Sequence, residues 1–123
     1  MTREAASEGL SSNPLVESHR VEGTPVRDGS GRRIGTVRHL VIEKVSGRVV
    51  YVVISFGGLL RRSSHHPNPW EMLRYDCAMH GYRTDITSRD IEGAPIAHEK
   101  LWCDRRREME IRDYWDVPPF RGV

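Results

Sequence analysis

Residues 23–70 read GTPVRDGSGRRIGTVRHLVIEKVSGRVVYVVISFGGLLRRSSHHPNPW, and this stretch decides the fold. Two runs within it, residues 34–45 and 48–56, are rich in β-branched side chains, which favour strands. The dipeptide Ser46-Gly47 lies between the two runs and is typical of the tight turn of a hairpin. The spacing predicts a small β barrel and shows no pattern of catalytic residues.

The run over residues 48–56 is apolar on both of its faces. Alternate side chains of a strand point to opposite sides of the sheet, so one face carries Val49, Tyr51 and Val53. The opposite face carries Val50, Val52, Ile54 and Phe56. A strand of this kind should be covered on both sides. The barrel interior covers one face, and the other is covered either by the C-terminal helix of the same chain or by a second subunit.

Shorter elements are expected on both sides of this hairpin. A first strand is predicted over residues 23–26 and another over residues 82–86, with a polar loop over residues 61–68. Residues 71–75 are expected to form one turn or a short strand. Trp70 follows a proline beyond the polar loop, and we expect its ring to return to the core.

Two helices are predicted towards the C-terminus. Thr87 with Asp90 three residues later forms a capping-box pattern, which predicts a short helix that ends at Gly93. Asp104 is a typical N-cap for a last helix, Arg105–Trp115.

The last helix has an apolar side and a charged side. The apolar side is formed, by spacing of three and four residues, by Ile111, Tyr114 and Trp115. Pairs four residues apart suit ion pairs, and we expect them on the solvent side; they are Arg106 with Glu110 and Glu108 with Arg112.

The composition limits the classes of protein to which the chain can belong. It has 123 residues, enough for one domain with its own core. Its 19 basic and 17 acidic residues give a net charge of +2, so no large field favours nucleic acid or an anionic membrane. No run of about 18 apolar residues is present, and residues 1–14 have the composition of a flexible tail rather than a secretory signal. We therefore expect a cytoplasmic protein with Cys77 and Cys103 as free thiols.

Several short motifs, taken in order, resemble the PRC-barrel domain family. They are Gly23-Thr24-Pro25-Val26, Ile34-Gly35, Ser46-Gly47-Arg48-Val49, Tyr51-Val52-Val53, Ser55-Phe56-Gly57-Gly58, Pro69-Trp70, Leu73, Gly81-Tyr82, Asp90-Ile91 and Ala94-Pro95. The resemblance covers residues 15–95 and leaves residues 96–123 as a C-terminal helical extension.

The resemblance implies a mostly β fold, a small barrel of about six strands with a short helix and a C-terminal helix. Such a barrel is similar to the cytoplasmic domain of the photosynthetic reaction-centre H subunit and to the C-terminal domain of a ribosome-maturation factor. The family is associated with protein–protein and ribosome contacts and shares no catalytic residues. The resemblance therefore implies a protein that is not an enzyme.

Histidine and cysteine side chains form the one candidate metal site in the sequence. His65, His66, Cys77 and His80 lie close together along the chain, and the spacing of Cys77 and His80 suits a zinc ligand pair. A structural zinc site needs four ligands, normally from two such pairs, and no second pair is present. Cys77 with His80 also lacks the strained turn and the third group that activate a nucleophile. We predict no metal, no cofactor and no catalytic residue.

Clusters of arginine suggest a second kind of partner. Consecutive arginines occur at 32–33, 61–62 and 105–107, and converging basic loops could bind RNA or the ribosome. Acidic residues surround the third cluster, and aromatic residues for base stacking make up only 7% of the chain. A role as a ribosome- or RNA-associated accessory protein is therefore the alternative hypothesis.

The excess of apolar surface favours a protein partner. We predict a non-catalytic interaction or scaffold domain that forms a homodimer and binds an unknown protein, with arginines orienting the contact. The residues expected to take part are Val50, Val52, Ile54, Arg61, Arg62, Ile111, Tyr114 and Trp115.

Overall fold

A computed structural model of the protein describes residues 14–57, 65–97, 102 and 104–116. Its strands are β1 (Pro25–Arg27), β2 (Arg33–Ile42), β3 (Val49–Ser55), β4 (His65–Pro69), β5 (Arg74–Asp76) and β6 (Gly81–Arg83). Its helices are α1 (Ser18–Val21), α2 (Ser88–Glu92) and α3 (Arg105–Trp115), with a 3-10 turn at Trp70–Met72.

The six strands form one sheet in the order β4-β3-β2-β1-β6-β5. Neighbouring strands are antiparallel, except for the parallel pair β1 and β6. The prediction of a mostly β fold with about six strands, a short helix and a C-terminal helix is confirmed. Within the described residues the sheet curves around its core without closing, because β4 and β5 each pair on one side only.

The hairpin of β2 and β3 that the sequence predicted is present, and it is the longest pairing in the sheet. Its turn has Gly47 at φ 78°, and the Gly47 N–H donates to the Glu43 carbonyl oxygen at 2.9 Å. A positive φ is the conformation that glycine adopts at low cost. Strand β2 ends at Ile42 and not at residue 45, because residues 43–48 form the turn.

The register between β2 and β3 shifts at two places, between Val37 and His39 and between Val41 and Ile42. The partners of β2 shift between Val41 and Ile42, so that Val50 is an extra residue on β3. A β-bulge of this kind interrupts the alternation of side chains. Val50 therefore packs beside Tyr51 against the second apolar cluster, and its predicted place on the face of Val52 is wrong.

Gly35 of β2 lies very close to the end of β3. A Cβ at this position would lie 2.7 Å from the Ser55 carbonyl oxygen and 2.9 Å from a methyl group of Ile54. Only glycine fits such a close approach of two strands. The register between β1 and β2 shifts next to it, since Val26 is opposite Gly35 and Arg27 is opposite Arg33.

Residues 65–68 were predicted as part of a polar loop, and this prediction is wrong. They belong to β4, which pairs with β3 along its whole length. Pro67, Asn68 and Pro69 are buried, although proline and asparagine are typical of loops. A strand at the edge of a sheet tolerates proline because half of its N–H groups point away from its neighbour. Residues 61–64 lie outside the described residues.

The main core lies on one face of β3. It is centred on Val52, Ile54 and Phe56, which have no exposed surface. Trp70 packs at its margin with its ring edge-on to Tyr82, at a centroid distance of 5.5 Å, so the expected return of Trp70 to the core is confirmed.

Helix α3 of the same chain covers the opposite face of β3. Ile111 is fully buried against Tyr51, and the Trp102 ring stacks on the Tyr51 ring at a centroid distance of 5.2 Å. The sequence left open whether this face is covered by the C-terminal helix of the same chain or by a second subunit. In the structure, the helix of the same chain covers it.

Both helix starts have the caps that the sequence predicted. At α2, the Thr87 side chain accepts from the Asp90 N–H at 3.3 Å, while the Asp90 carboxylate accepts from the Thr87 N–H at 2.9 Å. At α3, the Asp104 carboxylate accepts from the N–H groups of Arg106 and Arg107. These bonds satisfy donors that have no partner within the helix.

The ion pair between Glu108 and Arg112 is not on the solvent side, where we expected it. The two groups lie 2.7 Å apart and are about one-fifth exposed, because the Tyr51 hydroxyl donates to the second Glu108 oxygen at 2.5 Å. Burial, together with the hydrogen bond to the Glu108 carboxylate, raises the pKa of Tyr51 well above its usual range. The hydroxyl therefore stays protonated and ties β3 to α3.

Candidate interaction surface

The residues predicted to form an interface lie in three different environments. Val52, Ile54 and Ile111 are buried within the single chain and form no part of its surface. Val50 and Trp115 are half-buried around the second cluster. Tyr114 is 41% exposed. The structure thus brings Ile111, Trp115 and Val50 together, with Val52 and Ile54 on the other side of the sheet, and Arg61 and Arg62 lie outside the described residues.

Tyr114 and Trp115 form the aromatic end of α3. Their rings meet edge-to-face at a centroid distance of 5.1 Å, and the Tyr114 hydroxyl donates to the Asp90 carbonyl oxygen at 2.5 Å. This end of α3 is therefore fixed to α2. One side of the Tyr114 ring remains open to solvent.

The candidate metal ligands do not form a site in the part of the chain that the structure describes. Within those residues, no three histidine, cysteine or carboxylate side chains come together. His66 is buried in β4, whereas His65, Cys77 and His80 are exposed. Cys103 lies outside the described residues.

A cleft of about 530 Å³ lies beside β5 and β6. One wall is formed by the 3-10 turn and β5, through Glu71, Met72, Arg74, Tyr75 and Asp76. The facing wall comes from the turn between β1 and β2 and from the end of β6, through Gly29, Arg83, Thr84 and Asp85.

The apolar side chains of this cleft are open to solvent. Tyr75 is 56% exposed, although one edge of its ring contacts Tyr82 at a centroid distance of 5.3 Å. Met72 lies beside it and is also exposed. An exposed tyrosine and methionine next to two arginines form a surface that is partly apolar and partly charged.

Four arginines stand in one row across the sheet. Arg33 of β2 is opposite Arg27 of β1, Arg27 is opposite Arg83 of β6, and Arg83 is opposite Arg74 of β5. Directly opposed residues point to the same face. Their neighbours Val26, Ile34 and Tyr82 face the core, so the four arginines occupy the outer face. We call these four residues the arginine row.

Few carboxylates contact the arginine row. Arg83 lies 3.6 Å from an Asp76 carboxylate oxygen and donates to the Gly29 carbonyl oxygen at 3.0 Å. Arg27 donates to the Gly31 carbonyl oxygen, and Arg33 donates to the Thr36 hydroxyl. The row is not visible in the sequence, because its members come from four strands and only strand register brings them together.

A comparison with protein families identifies the chain. The profile of the PRC-barrel domain matches residues 14–87, more than half of the sequence. The chain belongs to the PRC-barrel domain family. The resemblance stated from the sequence motifs is therefore confirmed.

A solved structure of similar fold is a putative 16S ribosomal RNA processing protein, RimM, from Pseudomonas aeruginosa. The two are 19% identical over 64% of this PRC-barrel chain and 48% of the other, with a TM-score of 0.41. The chain thus spans about half the length of that protein. A search of curated proteins finds no match. Among its described residues, the PRC-barrel protein has no helix that is long and apolar enough to cross a membrane.

His66 is a deeply buried titratable group of this PRC-barrel domain. Only 3% of it is exposed, its Nδ1 lies 3.0 Å from the Pro95 carbonyl oxygen, and its ring meets Phe56 edge-on. Burial lowers the pKa of His66 below its ordinary value of 6.5, in spite of the hydrogen bond to Pro95. The ring is therefore neutral in the folded protein at pH 7.

We expect His66 to make the folded state sensitive to acid. Because its folded pKa lies below 6.5, the unfolded chain binds the proton more tightly. The stability that depends on neutral His66 is complete above about pH 6.5 and falls as the pH drops through the interval below it. Urea unfolding at several pH values between 5 and 8 should show a weaker pH dependence in His66→Gln than in the wild type. The exposed His39 provides the control, and an equal effect of His39→Gln would contradict the assignment.

Proposed function

We propose that this chain is a non-catalytic domain that binds another protein through the cleft beside β5 and β6. The proposal is carried by one observation: Met72, Tyr75, Arg74 and Arg83 are gathered around a single cleft. Tyrosine, methionine and arginine are the residue types enriched at protein interfaces, and tyrosine and arginine dominate their energetic centres. The mixture of apolar and charged groups suits a protein surface, which presents both.

The proposal includes a homodimer, in which the aromatic end of α3 meets its equivalent in a second chain. It is supported by the open side of the Tyr114 ring, beside the half-buried Trp115. A symmetric pair is the commonest arrangement of soluble oligomers. The buried residues Val52, Ile54 and Ile111 have no place in such a contact.

Affinity capture from a native lysate tests the proposed function. We expect the wild-type domain to retain a specific set of proteins, and the double variant Met72→Ala and Tyr75→Ala to lose them, because truncation of interface centres costs most of the affinity. Ile42→Ala with Val45→Ala removes two exposed apolar side chains from the distant hairpin turn and serves as the matched control. Identical capture by all three proteins would contradict the use of the cleft. Light scattering of the same samples gives the number of subunits.

A role as a ribosome- or RNA-associated accessory protein is the second candidate. The arginine row supports it, since arginine is a common partner of phosphate groups. The two candidates differ in their response to salt, because phosphate contacts weaken steeply as salt increases while apolar contacts do not. Loss of the captured material on treatment with ribonuclease would favour the second candidate.

A further inference from the structure

We infer that the arginine row binds an extended segment of the partner protein that carries a carboxylate at every second position. This inference rests on the proposed protein-binding function and names the chemistry of the partner. It is carried by the placement of four guanidinium groups on adjacent strands, directly opposite one another.

The row is unfavourable for the isolated domain. Like charges that face each other across neighbouring strands destabilise a sheet, and the row contains three such pairs. Among the described residues, the only carboxylate bonded to the row is that of Asp76, at 3.6 Å from Arg83. This pair is partly exposed, so a carboxylate of the partner can replace it at little cost.

Most of the donors in the row remain free to bind an anion. Each guanidinium has five N–H donors. Within the described part of the chain, Arg27 and Arg33 each bond one neutral oxygen through a terminal nitrogen. Arg74 is exposed and makes neither an ion pair nor a hydrogen bond to another described residue. Pairing with carboxylates would relieve the repulsion within the row and use these donors.

The length of the row matches an extended peptide. Three spacings of about 4.8 Å between strands give a row of about 14 Å. An extended chain advances about 3.3 Å per residue, so carboxylates at every second position over five residues span about 13 Å. The residues between them point away from the row, because alternate side chains of an extended chain lie on opposite sides.

The charges next to the row favour a peptide over a nucleic acid. Three carboxylates, those of Glu71, Asp76 and Asp85, line the same cleft as Arg74 and Arg83. They would repel a phosphate backbone, which carries a charge at every nucleotide. A peptide can place its carboxylates at the arginines and uncharged side chains beside the acidic groups.

Fluorescence anisotropy with defined probes tests the inference. The probe is a fluorescein-labelled peptide of alternating aspartate and leucine, seven residues long, and the comparison probes are its asparagine–leucine equivalent and a single-stranded oligouridine. We expect the aspartate peptide to bind the full chain and the asparagine peptide to bind at least about fivefold more weakly. Arg74→Gln with Arg83→Gln should weaken binding of the aspartate peptide by a similar factor. Arg89→Gln with Arg105→Gln makes the same change in net charge on exposed positions of α2 and α3, and it should leave binding unchanged.

The inference would be overturned by no binding of the aspartate peptide, by equal binding of the asparagine peptide, or by equal loss in the two double variants. Tighter binding of oligouridine that also depends on the row would overturn it in favour of RNA. The single variant Arg74→Gln, which removes no bond within the described residues, keeps the test valid if the double variant fails to fold. Its melting temperature should be unchanged or raised, because one like-charge neighbour of Arg83 is gone. If the aspartate peptide does not bind but protein capture is still lost in the double variant Met72→Ala and Tyr75→Ala, this inference is wrong and the proposed function stands.

Discussion

Val52→Asp should unfold the domain at room temperature. Val52 lies in the middle of β3 with no exposed surface, between Ile54 and the β4 residue Asn68, its partner in the sheet. A carboxylate there loses its hydration and gains no basic partner, which costs several kcal/mol whether the group stays charged or becomes protonated. Domains of this size have a total stability of about 5–15 kcal/mol, so the loss is comparable with the whole. Circular dichroism should show loss of β structure and of the cooperative thermal transition.

The same substitution at an exposed valine provides the control. Val45 lies in the turn between β2 and β3 and is 74% exposed. Val45→Asp introduces the same charge into the same hairpin, and its expected effect is within about 0.5 kcal/mol. A Val52→Asp protein that melts like the wild type would show that Val52 is outside the core, and the fold described above would be wrong.

Ile111→Ala should cost about 2–5 kcal/mol of unfolding free energy, because it leaves a cavity where α3 meets β3. Ile111 is the fully buried side chain of α3, and it contacts Tyr51 in the second cluster. Loss of this contact also weakens the hydrogen bond from Tyr51 to Glu108, which depends on the position of the helix. Urea unfolding followed by tryptophan fluorescence measures the change, since Trp102 and Trp115 both pack against this cluster.

Met109→Ala is the matched control for this helix. Met109 is two residues away and 46% exposed, so its truncation should cost well under 1 kcal/mol. Both variants are compared with the wild type at one protein concentration, because the proposed homodimer would make the unfolding midpoint rise with concentration. Equal losses of stability in Met109→Ala and Ile111→Ala would contradict the packing described here.

Helix α3 changes which residues are available to a partner. The sequence made β3 a candidate interface because both of its faces are apolar. With α3 on one face and the core on the other, Val52 and Ile54 serve stability and not binding. The binding surfaces proposed above use groups at the margins, such as Tyr75 and the arginine row, which the periodicity of β3 does not reveal.

The sequence by itself determined the elements that depend on local signals. The hairpin of β2 and β3 followed from two β-branched runs and a glycine turn, and α2 and α3 followed from capping residues that bond the next turn of the same helix. These interactions join residues a few positions apart, so the distance between the residues in the fold follows from their spacing in the sequence.

Only the tertiary structure decided the features that depend on pairing between distant segments. Strand β4 contains two prolines, and its residues do not favour a strand by themselves. It forms a strand because its backbone pairs with β3. The bulge that moves Val50 to the second cluster depends on the register of β2 and β3. The arginine row depends on four strands at once, since a shift of one residue in any of them would turn its arginine to the other face. Register is set by packing of the whole sheet, and for this reason the candidate binding surface could not be seen in the sequence.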